Sequence, residues 1–354
     1  MRIDFVFDGK GNKMMYRSIY CSSLPAIVEK LADTPAMKRL ADISMHCGCD
    51  RADFATYHHI RGPYSRYLHS LGVAGIVWNF TGDLTQAAAG LLHDVATPVF
   101  AHTIDFMNRD YMNQESTEEK TRAVIENSKE IMEILYQYDI DISEVADYHR
   151  YPVADNDTPM LSADRLEYTL GNAYLVYRRE LTEIQEIYRD LFVAENEDKA
   201  PELCFRTLEA AKRFTKISLK NSFWFVSDEE RFAMQYLADM MKTAIRSGDI
   251  LPEDLMKTET EVIRKLEQGR SVSGLWRTYT RLRAVEACRQ KQEDRYCVRI
   301  FAKKRYINPL VLIKDTPVRI SEADRDIKRG IEEFLEFSYD SWLSAKENGT
   351  VVTR

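Results

Sequence analysis

Apolar residues recur at helical spacing through most of the chain. Val124, Ile125, Ser128, Ile131, Met132 and Leu135 fall on one face of a helix. Ser227 followed by Glu230 has the pattern of a capping box ahead of Tyr236, Leu237, Met240, Met241 and Ala244. Pro252 and Gly269 bracket a further helix through Met256, Val262, Ile263 and Leu266, and Leu275, Tyr279, Leu282 and Val285 continue the theme. Thr158 followed by Pro159 predicts another helix start, with Leu161, Leu166 and Leu170 as its apolar positions. One stretch breaks the period. Residues 296–313, YCVRIFAKKRYINPLVLI, are rich in Val, Ile, Tyr and Phe and run into Asp315, Thr316 and Pro317, which predicts two strands and a turn. After it, Ser321 and Asp324 cap a last long helix with Ile327, Ile331, Leu335 and Trp342 on its inner side. The predicted fold class is mainly α, a helical core with a C-terminal helical extension that contains a small β-hairpin. The polar stretch AENEDKAP (194–201) divides it into a core at 1–195, with an N-terminal arm, and a C-terminal region at 196–354. No internal repeat or low-complexity tract is visible.

Composition narrows the function classes. A length of 354 residues suits one large unit or two packed lobes, and 45% hydrophobic with 30% charged residues is ordinary for a globular protein. The formal net charge of −7 argues against a broad basic surface for duplex nucleic acid, since phosphate binding is led by Lys and Arg. Small anionic ligands stay open, because local fields decide those. The N-terminal MRIDFVFDGKGNKMM carries Asp4 and Asp8 and lacks a long apolar core, and no apolar run reaches membrane-spanning length. No membrane partner and a cytoplasmic location are expected. Six scattered cysteines read as reduced thiols. Cys47-Gly48-Cys49 fits neither a zinc knuckle nor a redox pair and is read as structural.

The chemistry concentrates in two segments, RYLHSLGVAGI (66–76) and LLHDVATPVFAHTID (91–105). The first sets His69 inside an apolar helical run and the second ends another run with His93 and Asp94. Imidazole nitrogen and carboxylate oxygen together suit a divalent ion, and an unpaired carboxylate in such apolar surroundings costs several kcal/mol. Asp164, in TPMLSADRLEYTLGN (158–172), is a fourth ligand candidate. Two histidines and two carboxylates fill four positions of an octahedral ion and leave two open, for water and a substrate atom.

His69, then His93-Asp94, then the distant Asp164 resembles the signature of the HD-domain metal-dependent phosphohydrolases. The chain is most similar to their dGTPase-like branch, the deoxynucleoside triphosphate triphosphohydrolases. The shared features are the RYLHSLGV stretch at 66–73, a looser Pro-Phe-x-His element at 98–102, TPAMKRLADISMHCG at 34–48, and Tyr168 four residues after Asp164. The resemblance covers roughly residues 15–180, with a fainter echo in YINPLV (306–311).

The resemblance implies an HD-domain helical core and one divalent ion, of Mn, Fe, Ni, Co, Zn or Mg, held by His69, His93, Asp94 and Asp164. It implies His102 as general acid with Asp105 as its orienting carboxylate, three residues apart. Arg66 would clamp a phosphate, Tyr168 would contact the sugar, and Asn172 stands on the same face in place of a family acidic residue. His46 falls where the family often has a base-contacting glutamine. His58, His59 and His149 match no ligand position. Two departures matter. Thr97 stands where the family often has a catalytic histidine, and QESTEEKT (114–121) lacks the second active-site histidine. The expectation is nucleotide hydrolysis of the dGTPase type, with a homo-oligomer left open. The alternatives are a nucleotidase, phosphodiesterase or pyrophosphohydrolase on the same scaffold, and a weakened nucleotide-binding regulator. The basic cluster Arg299, Lys303, Lys304 and Arg305 reads either as a phosphate-binding element or, more plainly, as a charged strand edge.

Overall fold

A computed structural model describes residues 19–112 and 120–346. The N-terminal arm and residues 113–119, which include most of the 114–121 segment searched for a second histidine, lie outside the described residues. The elements used below are α1 (Ala26–Ala32), α2 (Arg66–Thr81), α3 (Leu84–Leu92), α4 (Thr103–Asn108), α5 (Ala163–Leu175), β1 (Leu191–Glu195), β2 (Pro201–Phe205), α6 (Leu208–Phe225) and α7 (Asp228–Ser247). They continue with β3 (Val285–Cys288), β4 (Cys297–Val298), β5 (Leu310–Ile313), β6 (Thr316–Arg319), α8 (Arg325–Glu336) and β7 (Trp342–Ala345), with shorter helices between. The architecture is mainly helical with two small sheets.

The axis of the core is α2. Ser65 caps it by accepting the Leu68 N–H, and Gly82, at φ +64°, closes it in the left-handed region where glycine is favoured. Every residue from Leu68 to Val77 is buried. Full burial of Leu71, Val73, Ile76 and Val77 contributes about 1.5–3 kcal/mol each. Helix α3, capped by Asp83, packs on α2 through Ala87, Ala88, Ala89 and Gly90. A Cβ at Gly90 would lie 3.3 Å from Val77, so the small residue sets how closely the two helices approach. The end of α3 at Leu92 then leaves His93 and Asp94 beside α2.

Strand order in the larger sheet is β1-β2-β5-β6, with β2 and β5 parallel and the other pairs antiparallel; the smaller sheet is β3-β7-β4. The expected hairpin within 296–313 is therefore corrected. The strands exist, but β4 pairs with β7 and β5 pairs with β6 and β2, because strand propensity does not name a partner. The polar stretch 194–201 spans the turn of the β1-β2 hairpin.

Four helix readings also shift. The 124–135 face is broken at Ser128, whose extended backbone caps a second helix by accepting the Ile131 N–H. The helix proposed to start at Pro159 starts at Ala163, where Ser162 accepts the Arg165 N–H. The Pro252–Gly269 segment divides at Lys257, and Thr258 with Glu261 caps its second half. Helix α8 buries Ile327, Ile331 and Phe334, leaves Leu335 exposed, and ends before Trp342, which is in β7.

One buried ion pair joins the sheet to the site. Arg319, at the end of β6, forks onto Glu202 at 2.6 and 2.9 Å, and Glu202 accepts the Leu161 N–H at 3.0 Å just before α5. Glu202 is fully buried, so the pair is largely protected from screening by solvent.

Candidate metal centre and its cavity

Helices α2, α3 and α5 bring the four expected ligands together. One ligating atom each of His69, His93 and Asp94 falls within 4.8 Å of the others. Asp164 joins through both imidazoles, its Oδ1 lying 2.8 Å from His69 Nε2 and 3.7 Å from His93 Nε2. Asp94 Oδ2 lies 4.0 Å from His69 Nε2 and 3.6 Å from His93 Nε2. Neighbouring ligands at right angles around an ion about 2.1 Å from each stand about 3 Å apart. The donor set, two nitrogens and two carboxylate oxygens, fits a divalent transition ion.

The atoms behind these ligands fix their orientation. Glu167 Oε2 takes His69 Nδ1 at 2.5 Å and also accepts from the Tyr64 hydroxyl at 2.5 Å. The Gly90 carbonyl takes His93 Nδ1 at 2.8 Å. Both imidazoles are thus left with Nε2 for the ligand cluster. Asp94 is bonded by Arg66 at 3.0 and 3.3 Å and by the Thr97 hydroxyl at 2.8 Å. Thr97, standing where the family often has histidine, braces a ligand carboxylate. Arg39 in turn holds the Thr97 carbonyl at 2.7 Å.

Two glycines make room for this arrangement. A Cβ at Gly72 would meet Glu167 Cγ at 2.5 Å, and one at Gly171 would meet the Tyr64 hydroxyl at 2.3 Å. Glu167 went unassigned in the sequence, although it stands three residues after Asp164 and between Leu166 and Leu170, a spacing that puts a carboxylate on a buried face.

Electrostatics follow from the crowding of acids around one imidazole. Burial lowers the His69 pKa, but Glu167 and Asp164 outweigh it and raise it to about 10. Burial alone would raise Asp94; Arg66, His93 and His69 instead hold it well below the carboxylate range. Asp164 is also lowered, against its burial, by its bond to His69. The acids gathered around His69 give the site a negative field that suits a cation.

A cavity of about 140 Å³ opens beside the ligands. His46, Arg66, His69, His102, Asp164, Tyr168 and Asn172, all read as site residues from the sequence, line it. Asp164, Tyr168 and Asn172 do so from successive turns of α5. His102 ends the loop before α4, and its Nδ1 lies 2.9 Å from Asp105 Oδ2. Asp105 is fully buried, and the pairing leaves His102 Nε2 for proton exchange. Burial lowers the His102 pKa against the pull of Asp105. Phe100 and Ala101, in the same loop, have φ of +60° and +44°, a conformation that non-glycine residues seldom adopt.

The remaining lining comes from the C-terminal half. Trp224 and Phe225 end α6, Glu230 opens α7, and Lys303 and Arg305 reach in from residues 299–309, which form no strand. The strand-edge reading of the basic cluster is thereby corrected. Arg299 pairs with Asp340 and Lys304 bonds the Leu335 carbonyl, while Lys303 and Arg305 face the cavity. Ser227 caps α7 as expected, but Glu230 does not complete the box. Its carboxylate turns inward and accepts from Tyr57 at 2.5 Å and Trp224 at 3.1 Å. His58 pairs with Asp53 and His149 with Asp155, both apart from the ligands. Cys47 and Cys49 are buried free thiols.

No family model matches the chain. The uncharacterized protein YdhJ of Bacillus subtilis strain 168 is 28% identical over 269 residues, 75% of this chain and 79% of that one. The metal-dependent phosphohydrolase cns2 of Cordyceps militaris is 25% identical over 169 residues, 48% of this chain and 46% of cns2, so the match spans less than half of that relative. A crystal structure of a phosphohydrolase from Bacteroides thetaiotaomicron superposes with a TM-score of 0.62 at 15% identity, covering 91% of this chain and 96% of that one. A protein of Aquifex aeolicus, described as hypothetical, gives 0.62 at 18% identity, covering 90% and 91%. No helix among the described residues is long and apolar enough to cross a membrane. The chain shares its fold with a solved phosphohydrolase and a distant sequence likeness with a metal-dependent one.

Proposed function

We propose that the protein is a metal-dependent phosphohydrolase of the HD type that cleaves a phosphate ester of a nucleotide. The observation that carries this reading is the meeting of His69, His93, Asp94 and Asp164 beside a cavity lined by His69 and Asp164 together with Lys303 and Arg305. A divalent ion held there supplies an acidified water and offsets charge at phosphorus.

The chain's own residues divide the rest of the work. Glu167 and the Gly90 carbonyl keep the two imidazoles turned toward the ligand cluster. Arg66 and Thr97 hold Asp94. Lys303 and Arg305 place positive charge where the phosphate enters, and His102, oriented by Asp105, gives a proton to the leaving oxygen. Tyr168, Asn172 and His46 contact the nucleoside. The motif order favours a dGTPase-like triphosphohydrolase, while Thr97 in a ligand-bracing role favours a nucleotidase or pyrophosphohydrolase as the second reading.

Metal analysis of the untagged protein, joined to a nucleotide panel resolved by product, tests both. Metal-dependent triphosphate release from a deoxynucleotide supports the first reading, and orthophosphate or pyrophosphate the second. Nucleotide binding with no phosphate product under Mn²⁺, Co²⁺ or Ni²⁺ would overturn the enzyme and leave a regulator.

A further inference from the structure

The wall of the cavity formed by α6 and α7 has a chemistry that phosphate cleavage does not use. Asn172 stands eight residues beyond Asp164 on α5, about 12 Å along the helix axis at 1.5 Å per residue. Asn172 Oδ1 is buried and has no hydrogen-bond partner, and the same holds for His46 Nε2. Leaving such an atom unsatisfied costs about 1–3 kcal/mol, so two on one small cavity are a standing demand for a ligand that bonds to them. Glu230 adds a carboxyl group to this wall. It is 7% exposed, and its Oε1 is held by two neutral donors, the Tyr57 hydroxyl and the Trp224 indole.

The surfaces around these polar atoms are flat and aromatic. The His46 and Trp224 rings lie 5.6 Å apart, Trp224 and Phe225 5.7 Å, and Tyr168 and Phe225 6.0 Å. Rings at such spacing offer π-faces on which a planar ligand stacks whatever its identity. Selection among planar ligands must then come from hydrogen bonds at the ring edge. A carboxyl group already fixed by two donors is pre-oriented, and once ionised it accepts an N–H hydrogen bond more strongly than a neutral acceptor does.

We propose that Glu230 is a specificity-determining residue: it accepts a hydrogen bond from an N–H donor on a heteroaromatic ring stacked against Trp224 and Phe225, while His46 and Asn172 bond the rest of the ring edge. The inference deepens the nucleotide phosphohydrolase reading and rests on it for the substrate's phosphate. The ligand class is an amino-bearing ring, and Tyr57 is a positioning residue that acts through Glu230.

Equilibrium binding of phosphate-free nucleosides to the full chain tests this apart from catalysis. Guanosine against inosine and adenosine against purine riboside each differ by one exocyclic amino group. The wild-type protein should bind the amino-bearing member of at least one pair about tenfold more tightly. Glu230→Met should bring that ratio to within about twofold, with melting temperature as the check on folding, and Trp224→Leu should weaken both members alike. If Glu230→Met fails to fold, Glu230→Gln replaces it, with the ratio expected to fall at least threefold. Equal binding within both pairs by the wild type, or an unchanged ratio in the Glu230 variant, overturns the proposal. Absence of metal-dependent hydrolysis in the nucleotide panel would instead remove the phosphohydrolase reading and leave this ranking standing.

Discussion

The two ends of the cavity are built on opposite principles. At the end that gathers the candidate ligands each imidazole has its second nitrogen taken and Asp94 has two protein donors. At the far end His46 Nε2 and Asn172 Oδ1 are buried without partners. The first end is organised before any ligand arrives, which is what a reaction centre needs so that no reorganisation accompanies the chemistry. The second is left incomplete, and an incomplete edge discriminates, because only a ligand with matching groups removes the cost.

The comparison can be broken at either end. The largest effect should come from Asp94→Ala, which removes a candidate ligand and leaves Arg66 buried without the carboxylate it bonds. Metal retention should be lost and turnover should fall by more than the ~100-fold expected for an outer partner, measured by metal content and kcat. Next comes a pH effect at the far end. Burial raises the Glu230 pKa to about 7, above the roughly 4.3 of an unfolded glutamate. The folded state therefore holds the extra proton between those values, so the stability from this group is full below about 4.3 and is lost as pH rises through 7. Across that window the wild type should lose on the order of 3 kcal/mol relative to Glu230→Gln, read by denaturant melts at several pH values.

Glu167→Gln should weaken metal binding about 10- to 100-fold while keeping the fold, seen in metal titration. An unchanged affinity would mean that His69 is oriented without Glu167. Gly72→Ala drives a methyl into the Glu167 side chain and should cost about 1–3 kcal/mol by thermal melting, with metal affinity falling alongside. Smallest of all, Tyr57→Phe should cost about 1 kcal/mol of stability and alter nucleoside binding while leaving metal affinity untouched.

How much of this was legible in the sequence follows the same division. The candidate ligands could be singled out because an ion would impose residue types and an order on the chain, and His69, His93 and Asp94 lie together with Asp164 beside both imidazoles. The three cavity positions on α5 could be read because helical spacing is regular. Glu167 and Glu230 could not be assigned, since an acid on an apolar face has no partner until another segment supplies one. For Glu230 the local rule pointed to a capping box, whereas Tyr57 and Trp224 draw the carboxylate inward. The sheets failed for a similar reason. Residues 296–313 announced their strands, but the partners of β4 and β5 lie at the other end of α8 and before α6. Lys303 and Arg305 looked like edge charges until the strand they were meant to guard proved absent.

The Arg319 fork on Glu202 gives the molecule an unexpected vulnerability. Glu202 steadies the peptide that leads into α5, so β6, through Arg319, acts as a guy-rope on a helix that bears Asp164. A frameshift ahead of Arg319 would slacken that rope at a distance from the candidate ligands. Shortened forms of this chain should thus be judged by whether they keep the anchor and not by whether they keep the histidines.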